Sequence, residues 1–280
     1  MTGPGTARSR PLVPVLLPLF LCLPLAAHDD PPTTDRAWEK KEAQWFEAID
    51  SGDRVHVQNP FGNIYARFGG YENQVEILAT VQRLDLARPE LVVDIERVDG
   101  VLEVLVRPGV AEGGGPTSDK QAGRVDLVVF VPLGARLDAR TEHDLIEAKG
   151  LRGDVVASSL TGNIRLRSIE GRIRAETTGG SISAMLVTGA TDETQELTTE
   201  TGEIEVHLGE DSDVEVKIAT SGEISTDFSL DIEHHRFQEP GKHAVATIGE
   251  GGSLISLRSK RGRVRLLRTQ KYFKPDPQNP

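Results

Sequence analysis

Short segments that alternate aliphatic and polar residues recur every nine residues in the middle of this chain. Five glycines mark the spacing: Gly153, Gly162, Gly171, Gly180 and Gly189. After each of the first four, the second and fourth residues are aliphatic or small, and the residues between them are mostly polar. This alternation is typical of a β-strand with one buried face. The pattern therefore predicts a series of short strands separated by glycine-marked turns.

Related units recur at wider intervals along the chain. They begin at Gly202, Gly222 and Gly262, and an isolated copy begins at Gly62. Intervals of 18, 22, 20 and 40 residues from Gly162 to Gly262 indicate a coil of about two strands. Burying one Val, Ile or Leu side chain contributes roughly 1.5 to 3 kcal/mol, so stacked strands can share a core that no single strand could form. We predict an all-β fold, a right-handed parallel β-helix or β-solenoid, with ladders built from Ile164, Ile173, Ile182 and Ile204.

The glycines at the unit boundaries are expected to be structural. Glycine accepts positive φ without steric cost, and Ser or Thr often precedes it here, as at Thr161, Thr201 and Ser221. The predicted turn glycines are Gly153, Gly162, Gly171, Gly180, Gly202, Gly222 and Gly262. An antiparallel meander or sandwich is the alternative, because hairpins also produce short, evenly spaced strands. Parallel stacking is favoured because every unit repeats in the same direction after its glycine.

The remaining chain divides into recognisable segments. Residues 1–27 are predicted to be a signal peptide, 28–51 a leader, 52–133 an N-terminal β region, 134–269 the solenoid repeats and 270–280 a disordered tail. Helix formers around Trp38, Trp45 and Phe46 predict a short amphipathic helix from Asp35 to Ile49. Region 52–133 contains six strand-like runs and a Gly-rich loop from Gly109 to Gly123. It either caps the solenoid or forms its first coils.

The N-terminus predicts export. Arg8 and Arg10 precede an apolar stretch that ends near Ala26 and Ala27, as in a secretory signal. Lipid anchoring at Cys22 is disfavoured because Leu21 stands where a lipoprotein has a small residue. The stretch is short for a membrane span, and the mature chain is expected to have none. Cys22 is the only cysteine, so export leaves no thiol for disulfides or cysteine sites.

Charge is distributed unevenly along the chain. The net charge is −11, and it becomes −13 once the two signal arginines are removed, which makes nucleic acid an unfavourable partner. Residues 192–223 contain eleven acidic residues and one lysine, whereas residues 251–275 contain eight basic residues and no acidic one. These charges are either solvated outer faces or a basic strip for an anionic ligand. The predicted strip comprises Arg258, Lys260, Arg261, Arg263, Arg265 and Arg268. Arg263 and Arg265 are also expected to protect an exposed last strand from edge-to-edge aggregation.

Sequence motifs for common chemistries are missing. The nine-residue period invites comparison with calcium-binding nonapeptide repeats, but their aspartate ladder is absent here. Asp211 and Asp213 lack the rest of a calcium loop, and the adjacent His234 and His235 would point to opposite faces of a strand. No G-x-S-x-G, phosphate-binding glycine loop or H-E-x-x-H occurs. We therefore predict no catalytic residues, no metal site and no cofactor.

Several of these segments together resemble a known family. The run from Val125 to Gly134 is followed by Ser/Thr-Gly-x-Ile units such as those at Gly162, Gly202 and Gly222. This order is similar to that of the putative adhesin family of bacterial envelope proteins, a domain of unknown function, over roughly residues 52–268. The resemblance implies a β-solenoid-like fold and an extracytoplasmic setting, and it brings no catalytic residues. The sequence departs from the pattern at Glu170-Gly171-Arg172 and Arg261-Gly262-Arg263, where charge replaces the hydroxyl or acidic neighbour of the glycine.

These observations favour an exported, non-enzymatic, adhesin-like protein that offers a binding or scaffolding surface in the cell envelope. Its expected partner is an unidentified envelope component, an anionic polysaccharide or a protein, in the periplasm, at the cell surface or outside the cell. One alternative is a carbohydrate-active β-helix enzyme, although no aromatic residue for sugar stacking lies between Phe130 and Phe228. Another is a periplasmic partner of a membrane signalling or transport system, for which neighbouring genes would be informative.

Overall fold

The computed structural model describes residues 39–70, 73–83, 90–109, 123–187, 192–209 and 211–269. The predicted signal peptide, the tail at 270–280 and most of the Gly-rich loop lie outside these residues, and the predicted domain boundaries remain predictions. Within the described ranges the chain is all-β, and no helix there is long and apolar enough to cross a bilayer.

The described residues form 21 strands. The first nine are β1 (Glu39–Ala48), β2 (Arg54–Gln58), β3 (Ile64–Phe68), β4 (Gln74–Arg83), β5 (Leu91–Val98), β6 (Val101–Pro108), β7 (Gly123–Val131), β8 (Arg136–Thr141) and β9 (Ile146–Lys149). The next six are β10 (Val155–Ser159), β11 (Ile164–Arg167), β12 (Ile173–Thr177), β13 (Ile182–Met185), β14 (Gln195–Thr199) and β15 (Ile204–Leu208). The last six are β16 (Val214–Thr220), β17 (Ile224–Thr226), β18 (Asp231–His234), β19 (Lys242–Ile248), β20 (Ser253–Ser259) and β21 (Val264–Arg268).

The strands form two mixed sheets in which most neighbours are parallel. Sheet A has the order β1-β4-β7-β3-β9-β11-β13-β15-β21-β17, and sheet B has the order β18-β19-β16-β20-β14-β12-β10-β8-β2-β6-β5. Antiparallel pairs among the described strands occur only toward the sheet ends, in β1-β4-β7, β5-β6 and β16-β19-β18. The repeats are therefore parallel, as predicted, and the antiparallel alternative is wrong for them.

Successive strands from β8 to β15 alternate between the two sheets. In sheet A, Ile164 pairs with Ile146 on one side and with Ile182 on the other, each 18 residues away. Ile182 in turn pairs with Ile204. Ile173 belongs to sheet B, where it pairs with Val155. Side chains from both sheets join one buried apolar cluster. We call two successive strands, one in each sheet, a coil.

Two coils do not follow chain order. The coil β2/β3 lies between β6 and β7 on one side and β8 and β9 on the other, so the isolated unit at Gly62 joins the repeats. The coil β20/β21 lies between β14/β15 and β16/β17. The expectation that the strand carrying Arg263 and Arg265 is an exposed last strand is wrong. The edge of sheet A at this end is the three-residue β17.

The predicted N-terminal helix is also wrong over the described residues 39–49. Glu39–Ala48 forms β1, which pairs antiparallel with β4 over its whole length. Ala43 and Trp45 are partly buried whereas Gln44 and Phe46 are exposed, which is the period of two of a strand. Pairing with an existing sheet edge supplies hydrogen bonds along the segment, and this tertiary gain outweighs the helix propensity of its residues.

Candidate functional site

The predicted basic strip is divided over the molecule. Arg258 lies on the outer face of sheet B, Arg263 and Arg265 belong to the sheet A side, and Lys260 and Arg261 lie at the corner between them. Their assignment to an anionic ligand stays a prediction.

Acidic strands flank the basic strand β21. Arg265 forms an ion pair with Glu205 of β15 and lies 3.7 Å from Glu203, and Arg263 lies 2.9 Å from Glu223 beside β17. The acidic and basic blocks of the sequence therefore interleave in space. Cross-strand pairs of opposite charge favour this order over one that places the acidic strands together.

Two further strip residues also have partners. Arg261 Nε lies 2.6 Å from Glu239 Oε1, and this hydrogen bond is the main cause that raises the pKa of Arg261 and lowers the pKa of Glu239. The guanidinium of Arg268 lies 4.8 Å from the ring centroid of Phe228, a cation–π contact. Much of the predicted strip is thus engaged by the protein itself.

The turn glycines are structural for a reason other than the predicted one. None of the seven has the positive φ expected of a left-handed turn. A Cβ on Gly180 would instead lie 2.6 Å from the carbonyl carbon of Gly162 in the neighbouring coil, and closer still to its oxygen. In the same way, a Cβ on Gly202 would meet the backbone of Gly180, and a Cβ on Gly262 would meet the backbone of Gly202. Glycine is required because the backbones of stacked coils approach too closely for any side chain.

A buried ladder of hydroxyl groups crosses the same corner. The N–H of Gly180 donates to Thr177 Oγ1 (3.1 Å), and the Thr177 hydroxyl donates to the Gly162 carbonyl (3.2 Å). Thr199 and Ser259 repeat this arrangement in the next coils. The sequence analysis missed these hydroxyls, although their signal is a Ser or Thr three residues before the glycine. The hydroxyl ladder supplies hydrogen-bond partners to glycine N–H and C=O groups that become buried when the coils stack.

A second group of cations lies on the outer face of sheet A and was not predicted. Lys149 ends β9 and is the register partner of Arg167 on β11, and Arg165 precedes Arg167 on the same face. All three side chains are exposed, and they make no ion pair or hydrogen bond with the described residues. We call Lys149, Arg165 and Arg167 the cation triad. Its members come from two separate repeat units, so only stacking brings them together.

Lys149 and Arg167 of the triad line a shallow cleft of about 360 Å³ that crosses four strands of sheet A, and Arg165 lies outside its lining. Its lining residues are Lys149, Arg167, Ser168, Ser183, Met185, Glu205 and His207. Its one carboxylate, Glu205, is bound by Arg265 and lies 2.9 Å from His207 Nε2. The cleft thus offers free cations and hydroxyls, while its acidic group is already neutralised.

The residues considered for metal binding have other roles. Asp213 accepts a hydrogen bond from the Glu250 N–H (2.9 Å), which holds the turn between β19 and β20 against the start of β16. His234 is exposed on β18, and His235 makes an edge-to-face contact with His243. Within the described ranges, no group of three or more His, Cys, Asp or Glu side chains is placed to hold a metal ion.

Comparison with known proteins yields distant structural similarity only. No protein-family model and no curated protein matches this chain. Among solved structures, it is similar to a "putative cell adhesion protein" from Clostridium sporogenes, with a TM-score of 0.41 and 12% identity over 82% of this chain and 100% of that chain. It is also similar to a "putative adhesin" from Bacteroides fragilis (TM-score 0.35, 10% identity, 82% and 97% covered) and one from Parabacteroides distasonis (0.22, 13%, 82% and 97%). These names agree with the family that the motifs resemble, but similarities this distant assign no function.

Proposed function

We propose that this protein is an exported, non-enzymatic β-solenoid that binds an anionic component of the cell envelope through its outer faces. The observation that carries the proposal is the regular outer face of sheet A. Parallel strands in register present their outward side chains about 4.8 Å apart, on a backbone fixed by stacked coils. Such a surface suits an extended partner with repeating charges. An adhesin-like or scaffolding role follows from that geometry.

The solenoid assignment rests on the alternation of strands between the sheets. Each coil adds one parallel strand to each sheet, and aliphatic ladders fill the space between them. Each coil contacts mainly its neighbours, which is the organisation of a repeat protein. The antiparallel strands at the ends then act as caps for the stack.

Binding is favoured over catalysis because two carboxylates on the outer face of sheet A are held in ion pairs. Glu147 is bound by Arg67, and Glu205 is bound by Arg265. A glycosidase needs two carboxyl groups that face one another across the substrate, one of them protonated. The carboxylates of Glu147 and Glu205 are instead each occupied by an arginine of a neighbouring strand.

Glycan-array binding of the purified protein tests the proposal. We expect binding to acidic glycans that weakens as salt rises from about 50 mM to 500 mM, because exposed charges are screened over a few ångströms at high salt. Neutral glycans of the same length are the matched control. Failure to bind any acidic glycan would refute the proposed function. Release of new chain ends from a bound glycan would refute the non-enzymatic assignment and favour the carbohydrate-active alternative.

Export is tested separately. If the predicted signal peptide is cleaved, the secreted protein begins near His28. N-terminal mass spectrometry of extracellular and periplasmic fractions would detect that N-terminus. Recovery of the uncleaved chain in the cytoplasm would contradict it.

A further inference from the structure

The cation triad differs from the paired arginines of sheet A because none of its three side chains forms an ion pair with the described residues. Glu147 of β9 is the register partner of Arg165 on β11. Its ion pair, however, is with Arg67 of β3, the neighbour of β9 on the other side. Arg67 also donates to the backbone carbonyl of Glu147 (3.2 Å), which fixes the pair. The three cations of the triad therefore face solvent together.

This arrangement has an electrostatic cost in the free protein. Lys149 and Arg167 are direct register partners, so their Cα atoms lie only about 5 Å apart, and like charges in that position are destabilising. Arg165 lies two residues from Arg167 on the same face, about 7 Å along the strand. A ligand with closely spaced negative groups would remove this repulsion on binding.

We propose that the cation triad and its cleft bind closely spaced carboxylate or sulfate groups of an acidic polysaccharide. The inference rests on the proposed function and assigns the binding site to Lys149, Arg165 and Arg167. Arginine can form two parallel hydrogen bonds with one anionic group, while lysine adds a point charge beside it. The hydroxyls of Ser168 and Ser183 in the cleft can hydrogen-bond sugar hydroxyls.

Other polyanions fit the cleft less well. Single-stranded nucleic acid needs aromatic side chains for base stacking, and the cleft lining contains none beyond His207. A lipid surface needs a contiguous apolar patch, whereas Met185 is the only large apolar side chain in the lining. The open cleft on a flat sheet instead matches an extended hydrophilic chain.

The experiment compares two triple variants by calorimetry against three probes. Lys149→Gln/Arg165→Gln/Arg167→Gln removes the triad, and Arg174→Gln/Arg261→Gln/Arg263→Gln removes the same charge from ion-paired positions that do not line the cleft. The probes are a polygalacturonate oligomer, a heparin-derived hexasaccharide and inorganic pyrophosphate. We expect the triad variant to bind one of the glycans about tenfold or more weakly than the parent, and the control variant to lose less than about threefold.

The outcomes separate the two proposals. Parent binding that survives in the triad variant, or falls equally in both variants, would overturn the triad as the site while the proposed function stands. A parent that binds neither glycan would overturn both. Pyrophosphate binding as tight as glycan binding would overturn the polysaccharide assignment. Thermal unfolding checks the fold: we expect the triad variant at low salt to melt no lower than the parent, because repulsion has been removed. If the triad variant does melt lower, the single variants Arg167→Gln and Arg263→Gln are compared by calorimetry with the same glycans. Equal binding by these two variants would overturn the triad as the binding site.

Discussion

Replacing Gly180 with alanine tests whether close stacking of coils, and not turn geometry, requires glycine. A Cβ there would lie 2.6 Å from Gly162 C and 2.9 Å from Thr161 O. Non-bonded heavy atoms pack at about 3.5 Å and the Gly162 carbonyl oxygen is closer still, so the coils would have to separate by more than about 1 Å. The obstacle is backbone, which cannot move aside as a flexible side chain can.

The expected cost follows from that displacement. Overpacking of this kind costs about 1–3 kcal/mol, and lengthening the hydrogen bonds between Thr177, Gly180 and Gly162 costs about 1 kcal/mol more. We expect a loss of about 3 kcal/mol in the free energy of unfolding, or a Tm lower by about 6–12 °C for a chain of this size. Circular dichroism during thermal and urea unfolding would measure it.

The neighbouring glycine provides the matched control. A Cβ on Gly179 would lie 3.4 Å from Thr161 Cγ2, an ordinary contact with an exposed side chain, and Gly179 has no positive φ. We expect Gly179→Ala to change stability by less than about 1 kcal/mol, in either direction. If Gly180→Ala were no more destabilising than Gly179→Ala, the stacking explanation would be wrong.

The remaining predictions concern the hydroxyl ladder, the interleaved charges and one carboxyl group. Thr199→Val keeps the side-chain shape but leaves a buried N–H and a carbonyl without their partner, so we expect a loss of about 1–3 kcal/mol in chemical unfolding. Thr198→Val, on the outer face of the same strand, should be near neutral, and equal losses would contradict the ladder's role. Arg265→Glu should cost about 1 kcal/mol at low salt, and adding Glu205→Arg should restore most of it; no recovery would mean that the pair does not set the strand order. The pKa of Glu239 should lie below its usual value in an NMR titration, because an arginine hydrogen bond favours the charged form. Its stabilisation is then present at neutral pH and lost as pH falls through the lowered pKa, and an ordinary value would contradict the ion pair.

Local alternation in the sequence was sufficient to predict the ladders but not the order of the coils. Ile164 and Ile182 pair in register because every unit repeats the same buried positions. The position of β21 depends instead on Glu205 meeting Arg265, two residues 60 positions apart. Alternation alone contains no information about such a distant partner.

The cation triad was missed for a related reason. Within their own segments, Arg165 and Arg167 are ordinary polar positions of an alternating strand. They become a site only when β9 places Lys149 beside them and when Glu147 is occupied by Arg67. The basic strip had the stronger sequence signal because its residues lie close together along the chain. In the fold, however, β21 lies between strands that supply acidic partners.

The intercalated coil β20/β21 has a consequence for how the chain folds. If β16/β17 docked on β14/β15 as soon as it emerged, Glu223 would come to lie beside Glu203, where the finished molecule has Arg263. We expect that early arrangement to be disfavoured relative to the finished one, in which the segment carrying Arg263 separates the two carboxylates. Repulsion between like charges thereby favours insertion of β20/β21 between the two coils over direct stacking of β16/β17 on β14/β15.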